Sequence, residues 1–353
     1  MTVSLAHKPD FEQAQHAWDA LWNHEILGRP CTRIVAPCRP DAPACPNIVP
    51  VDTDFNAVIR GAEAYLDSHA FLGEAMPAFR PGFGPDQMAG MLGAPLVMSE
   101  DGRTSWSKKI VTDWERFLPL RLSQENPVFR RTQEFHALAA RAFDGKCLLA
   151  EIDMHSNIDL LEGLRGAQPL LFDIVDRPDL VLRAMQDARR IYRDVYAALH
   201  VYGDKVKWGT TCNLPLYDRG RYNRIQADFI ALLGPRMFRE FVLPAIEEEA
   251  SFLDRSLFHL DGPDALRHLD DLLAIDALDG IQWVSGAGQP HQIEWPEVLH
   301  RIQKAGKITI LHLSEDDVRR IHGEYDPALL VYDVSVQSEE DGLRLLEWLE
   351  VNT

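Results

Sequence analysis

The chain has 353 residues, 46% of them hydrophobic and 25% charged, a composition typical of a globular protein with a large buried core. Its formal net charge of −18 disfavours nucleic acid and anionic membrane surfaces as partners, although a local pocket can still be basic. No apolar run approaches the roughly 18–20 residues that cross a bilayer, and residues 1–15 lack a signal-peptide pattern, so we expect a cytoplasmic protein.

The first third of the chain is irregular. Residues 10–28 predict an amphipathic helix within an N-terminal extension of about residues 1–30, and residues 32–36 predict a short strand. A second helix is predicted over residues 54–72. Residues 77–125 carry many glycines and prolines and predict an insertion that acts as a lid, because long loops in compact proteins are usually functional.

The rest of the chain alternates strands with helices. The predicted strands cover residues 146–152, 206–210, 256–260, 278–284, 307–313 and 329–335. Helices are predicted between them, the longest at 178–201, and Ser314 and Ser338 are expected to cap the last two. This alternation is typical of a parallel sheet with crossover helices. We therefore predict an α/β fold in which residues 1–353 form one (β/α)8 TIM-barrel domain.

In such a barrel the active site lies where the strands end. That rule selects the polar and aromatic residues at the predicted strand ends: Asp153, His155, Cys212, His259, Asp261, Gln282, Trp283 and His312. We expect these side chains to face one cavity, with Gln282 and Trp283 in its wall.

His259 and Asp261 are two residues apart, so both face the same side of a strand. Such a pair can ligate zinc, or act as a base with its orienting partner. Alternatively, Asp261 caps the following helix and His259 is a hydrogen-bonded core residue. Asp153 and His155 share the same spacing, with loop hydrogen bonding as their alternative role.

Three further residues, Arg80, Arg224 and Asp228, are candidates for substrate binding or catalysis, and Cys212 has several alternative roles. Arg224 can hold a substrate carboxylate in a bidentate manner, or lie in a solvated loop with Asp228. Arg80, in the insertion, has the same two alternatives. Cys212 is a soft metal ligand, a nucleophile or an inert buried thiol.

Three segments carry a resemblance to a known family: NIDLLEGLRG leading into LLFDIVDRPDLV, then QADFIALLGPRMFREFVLPAIEEE, and FHLDGPDALRHLDDLLAIDALDGIQWV followed by IQKAGKITILH. Over roughly residues 80–350 the chain resembles the uroporphyrinogen decarboxylase-like superfamily. That superfamily includes uroporphyrinogen decarboxylase and zinc-dependent methyltransferases that move methyl groups between corrinoid proteins and thiols. The decarboxylase motif P-x-W-x-M-R-Q-A-G-R-Y has no counterpart here, so uroporphyrinogen is not the expected substrate.

The resemblance implies a methyltransferase that acts on a small methyl- or carboxyl-bearing molecule, with zinc as cofactor and a corrinoid protein as methyl donor. His259 matches the histidine of the family's His-x-Cys-Gly metal motif, and Asp261 stands where the cysteine would be. His259 and Asp261 would bind the metal or position a base, and Asp153, His155 and Asp228 would complete the catalytic pocket. The family also implies a homodimer.

Two alternatives remain open. One is a decarboxylase, a carbon–carbon lyase, in which Asp228 or Asp153 stabilises a protonated intermediate while Arg80 or Arg224 holds a carboxylate. The other is a non-catalytic barrel that binds a small molecule or a corrinoid partner, because the metal-binding cysteines are missing.

Overall fold

The structure, a computed structural model, describes residues 4–353. Its strands in chain order are β1 Cys31–Pro37, β2 His69–Gly73, β3 Ala78–Phe79, β4 Leu96–Met98, β5 Ser105–Ser107, β6 Leu148–Leu149, β7 Tyr222–Gln226, β8 Arg255–Asp261, β9 Gly280–Val284, β10 Thr309–Ser314 and β11 Leu330–Ser335. Its α-helices are α1 Phe11–Trp22, α2 Phe55–Leu66, α3 Gln87–Met91, α4 Trp114–Phe117, α5 Pro127–Phe143, α6 Asn157–Arg165, α7 Ala167–Asp176, α8 Pro178–His200, α9 Lys205–Trp208, α10 Pro235–Met237, α11 Leu243–Phe252, α12 Leu269–Leu273, α13 Pro296–Lys304, α14 Glu315–Ile321 and α15 Glu339–Asn352. Among these residues, no helix combines the length and apolar character that a membrane span requires.

The strands form separate small sheets rather than a closed barrel. Their orders are β10-β11-β1-β2, β3-β6, β4-β5 and β7-β8-β9. The predicted (β/α)8 TIM barrel is therefore wrong, and the fold is mixed α/β. The hydrogen-bonded ladder is interrupted because β3 and β6 are only two residues long and β2 runs antiparallel to β1. Alternation of strands and helices correctly predicted parallel neighbours, but it carries no information on whether a ladder closes.

Three predicted elements also differ from the structure. Residues 205–208 form helix α9 instead of a strand, and residues 54–72 divide into α2 and β2. The stretch around Arg224 is strand β7 rather than a loop. Segments of four or five residues are too short for periodicity to separate helix from strand, so tertiary contacts decide. Lys205 of α9 makes such a tertiary contact, since its ammonium group donates to the carbonyl oxygen of Leu149.

Strand register places polar residues at one level of the two larger sheets. His259 on β8 lies opposite Gln226 on one side and Gln282 on the other. In the second sheet, Asp333 on β11 lies opposite both His312 and Arg33. Because side chains alternate along a strand, the residues two positions earlier lie on the same face, one level below.

That lower level is apolar. Leu257, Ile310 and Val331 belong to a buried cluster that includes Phe11 and Trp18 of α1. Each such side chain contributes about 1.5–3 kcal/mol when it is removed from water. The N-terminal helix therefore packs beneath the sheets and leaves the polar level above as the place for chemistry.

The two larger sheets meet between β9 and β10. The parallel bridge from Gly280 to Ile308 joins them. A Cβ on Gly280 would lie 2.3 Å from the carbonyl oxygen of Ile308, so only glycine permits this approach. The junction brings Gln282 and His312 into hydrogen-bonding distance of each other.

Candidate functional site

A chain of hydrogen bonds crosses the polar level from β1 to β8. Arg33 pairs with Asp333, and the second carboxylate oxygen of Asp333 lies 2.6 Å from Nδ1 of His312. Nε2 of His312 lies 3.1 Å from the amide nitrogen of Gln282. The amide oxygen of Gln282 lies 2.7 Å from Nδ1 of His259. One row of side chains therefore connects a buried ion pair to His259.

The carboxylate of Asp333 determines which atoms donate and which accept in this row of hydrogen bonds. Burial alone would raise the pKa of Asp333, but the charge of Arg33 and the hydrogen bond from His312 hold it below its usual value. An ionised carboxylate only accepts, so Nδ1 of His312 donates, and its Nε2 accepts from the amide of Gln282. The Gln282 oxygen must then accept from Nδ1 of His259. The lone pair of His259 is consequently on Nε2, the nitrogen that Gln282 does not hold.

The surroundings of His259 keep it neutral. Burial, followed by the positive charge of Arg224, lowers the pKa of its imidazole. A neutral imidazole with a defined free nitrogen can ligate a metal or accept a proton. Asp261, two residues on, has its Oδ1 buried without a hydrogen-bond partner. Burial raises the pKa of this carboxyl, and His259 opposes that shift.

Asp153 is the centre of a second cluster. Arg224 donates to its Oδ1 at 2.8 Å, while Arg80 lies 3.8 Å from Oδ2 and His155 lies 3.9 Å from Oδ1. Asp153 is only 12% exposed. Burial alone would raise its pKa, but the charges of Arg224, His155 and Arg80 lower it to about 2. Asp153 is therefore ionised at neutral pH and fixes the two arginines; it does not serve as an acid.

A third group joins His155 to two carboxylates. His155, Asp159 and Asp228 each offer one ligand atom, and these atoms lie within 4.8 Å of one another. Asp159 on α6 accepts from the backbone N–H groups of Asp228 and Phe229, at 2.8 and 3.0 Å. Burial and the nearby Asp228 carboxylate raise the pKa of Asp159 to about 7. Each carboxylate oxygen retains a further lone pair for a cation.

The structure brings most of the predicted site residues into these groups. Arg80, Asp153, His155 and Arg224 are joined at Asp153, and His259, Gln282 and His312 are joined in the row. Asp228 interacts electrostatically with His259 and Asp261 and is also part of the His155 group, so it lies between the clusters.

Two predicted residues are not members of these three groups. Trp283 is fully buried in the apolar core, edge-on to Trp295, and is not part of the polar row. Cys212 is buried, and burial raises the pKa of its thiol to about 11. A thiol of that pKa is protonated at neutral pH and is a poor nucleophile.

Sequence reasoning missed Arg33, Asp159 and Asp333. A signal for two of them was present, because Arg33 and Asp333 are charged residues inside otherwise apolar predicted strands. A charged residue in a buried strand is rarely found without a partner. Nothing in the sequence pairs those two strands, which are 300 residues apart. Asp159 lies on a helix, where no strand-end rule applies.

Comparison with known proteins finds a likeness among solved structures. No family model matches the sequence, and the curated proteins contain no relative that matches it. A methyltransferase from Methanosarcina mazei has a similar solved structure, with a TM-score of 0.61 and 13% sequence identity. The alignment covers 96% of this chain and 98% of that one. The chain therefore shares the fold of a methyltransferase over almost its full length.

Proposed function

We propose that this protein is an enzyme that transfers a methyl group to or from a small molecule with the help of a divalent metal ion. The observation that carries the proposal is the likeness, over 96% of the chain, to a methyltransferase. Because one fold can serve many reactions, the residues of the site must also suit methyl transfer.

The donor atoms suit a metal. His155, Asp159 and Asp228 offer one nitrogen and two oxygens within 4.8 Å of one another. Nitrogen and oxygen ligands without thiolate fit zinc or manganese. Three protein ligands leave a coordination position for substrate. An ion held by His155, Asp159 and Asp228 would supply Lewis acidity toward a hydroxyl or thiol of the methyl acceptor.

His259 is the candidate base that removes the proton from the methyl acceptor. When a methyl group passes to an acceptor X–H, the X–C bond forms, the donor keeps the electron pair of the broken bond, and the proton must leave X. The free Nε2 of neutral His259 can accept that proton. Gln282, held by His312 and Asp333, keeps the ring in the tautomer that this role needs. We propose a corrinoid protein as the methyl donor.

Metal analysis tests the first half of the proposal. Protein purified without chelator should hold about one zinc or manganese ion per chain. His155→Ala and Asp228→Asn should each lose most of it, while His16→Ala, on the exposed face of α1, should retain it. Loss in His259→Ala but not in His155→Ala would move the ion to the predicted His259–Asp261 pair. Failure of every form to bind a divalent ion would refute metal assistance.

A spectroscopic assay tests the second half. Methylcob(III)alamin mixed with the protein and a panel of small thiols and alcohols should lose its characteristic absorption as the methyl group leaves cobalt. Mass spectrometry should find the methylated acceptor. His259→Ala should slow the reaction about 10²–10⁴-fold, the usual contribution of a positioned base. Equal rates with and without the protein would contradict corrinoid-dependent methyl transfer.

Decarboxylation is a second candidate because Arg80 and Arg224 lie side by side at Asp153. Two guanidinium groups at one site are typical of carboxylate binding. Release of CO2 from a panel of small carboxylic acids, without any change in a methyl donor, would favour this reaction over methyl transfer.

A further inference from the structure

A cavity of about 180 Å3 lies next to the Asp153 cluster. Two guanidinium groups, those of Arg33 and Arg80, and the amide of Asn213 contribute to its lining. Val35, Met76 and Ala78 provide apolar surface. It thus combines cationic and apolar surface beside the proposed reaction centre.

Arg80 is the unusual member of this lining. Its side chain is only 18% exposed, yet it makes no hydrogen bond to any of residues 4–353, and its ion-pair contact with Asp153 is 3.8 Å long. Asp153 is already bound at 2.8 Å by Arg224. Burial lowers the pKa of Arg80, and Asp153 offsets this only in part. Each nitrogen of Arg80 retains some solvent contact, so its N–H donors are open to a ligand that supplies acceptors.

The charges around the cavity do not balance. Three guanidinium groups, of Arg33, Arg80 and Arg224, share two carboxylates, of Asp153 and Asp333, which leaves one positive charge in excess. The other ionisable groups in the lining are neutral at pH 7. Burial raises the pKa of Cys45 and Tyr65 to about 12, and that of Cys212 to about 11.

The volume limits the size of the ligand. A water molecule takes about 30 Å3 of liquid, so the cavity has room for about six waters, or for a ligand with about six non-hydrogen atoms.

We propose that the cavity binds the substrate as a short monocarboxylate, with the carboxylate on the guanidinium of Arg80 and a short alkyl chain against Val35, Met76 and Ala78. Naming this ligand as the substrate rests on the proposed function, whereas the binding site itself does not. The ligand supplies the one negative charge that the three arginines lack.

Calorimetry on the wild-type protein tests the ligand class. Propionate should bind with a Kd of about 0.1–1 mM, consistent with the efficiency of small ligands. Propionamide, of the same shape but uncharged, should bind at least about tenfold more weakly. Octanoate exceeds the cavity volume and should also bind at least about tenfold more weakly. Equal binding of propionamide, tighter binding of octanoate or tighter binding of inorganic phosphate would each overturn the assignment.

Substitution of Arg80 tests the position. Arg80→Gln should weaken propionate binding at least about tenfold, while Arg103→Gln, on the exposed part of the insertion, should not change it. Without ligand, Arg80→Gln should melt at the same temperature as the wild type, because Arg80 makes no hydrogen bond and its ion-pair contact with Asp153 is long. Undiminished propionate binding in Arg80→Gln, or a lower melting temperature, would refute this role for Arg80.

The two proposals can fail separately because heats of binding need no turnover. Binding of propionate without methyl transfer to or from any compound would leave the cavity assignment intact and refute the proposed function. Methyl transfer on neutral molecules, by a protein that binds no short carboxylate, would support the proposed function and refute the cavity assignment.

Discussion

At the scale of single residues, the chemistry of His259 is determined by groups that it does not touch. An ion pair between Arg33 and Asp333 fixes the tautomer of His312, and His312 fixes the amide of Gln282. The amide then leaves the His259 lone pair on Nε2. Partners of this kind typically change metal affinity or activity by 10–100-fold when they are removed. We therefore expect Arg33 and Asp333 to influence the proposed reaction although neither is placed at the reacting atoms.

Gln282→Leu tests this row. Leucine keeps the volume but breaks both hydrogen bonds, so Nδ1 of His259 loses its acceptor and the ring can adopt either tautomer. We expect methyl-transfer activity to fall about 10–100-fold with little change in the melting temperature. Nitrogen NMR of the histidines should show a mixture of tautomers for His259. Gln303→Leu removes a similar pair of amide hydrogen bonds at Asp326, away from the site, and should not change activity. Unchanged activity in Gln282→Leu would contradict the positioning role.

At the scale of elements, the contact of β9 with β10 is essential to the site because it joins the sheet of His259 to that of His312. Gly280→Ala would place a methyl group 2.3 Å from the carbonyl oxygen of Ile308, which is backbone and cannot rotate away. We expect a loss of about 1–3 kcal/mol in the free energy of unfolding, measured with urea, together with lower activity. Gly234→Ala is the matched control, since its new methyl group would meet nothing within 4 Å. Equal stability of the two variants would show that β9 and β10 can move apart without a loss in the free energy of unfolding.

The elements that the sequence predicts correctly are those with a strong local pattern. The strands that carry His259, Gln282 and His312 were predicted close to their observed bounds, because buried apolar runs between turn signals are strong local patterns. Ser314 forms the predicted capping box with Asp317, which is also a local pattern. Strand β7 was missed because YNRIQ is polar and short, and the closed barrel was wrong because closure depends on hydrogen bonds between distant segments.

At the scale of the whole molecule, the distribution of charge separates the surface from the site. The chain carries a net charge of −18, yet the cavity beside Asp153 holds one excess positive charge. A negative surface repels polyanions such as nucleic acids, whereas the local field inside the cleft attracts a single small anion. The composition that excluded large anionic partners is thus compatible with a small anionic substrate.

The stability of the whole molecule should depend on pH through Glu249 on α11. This carboxyl is 2% exposed, and burial raises its pKa to about 8, against the opposing hydrogen bonds from Ser156 and Asn157. Below the unfolded pKa of 4.5 both states hold the proton. As pH rises toward 8 the unfolded chain releases it while the folded protein does not, so stability is lost across this window.

Glu249→Gln removes that dependence because an amide does not ionise. The variant should match the wild type at pH 5 and exceed it at pH 8, by on the order of a few kcal/mol in the free energy of unfolding. Urea titrations of both proteins at each pH measure the difference, and other titrating groups cancel between them. Glu247→Gln, on the exposed side of the same helix, should show no such divergence. A stability difference that stays constant from pH 5 to pH 8 would mean that Glu249 is ionised in the folded protein and that a cation inside the fold, rather than a proton, balances its charge.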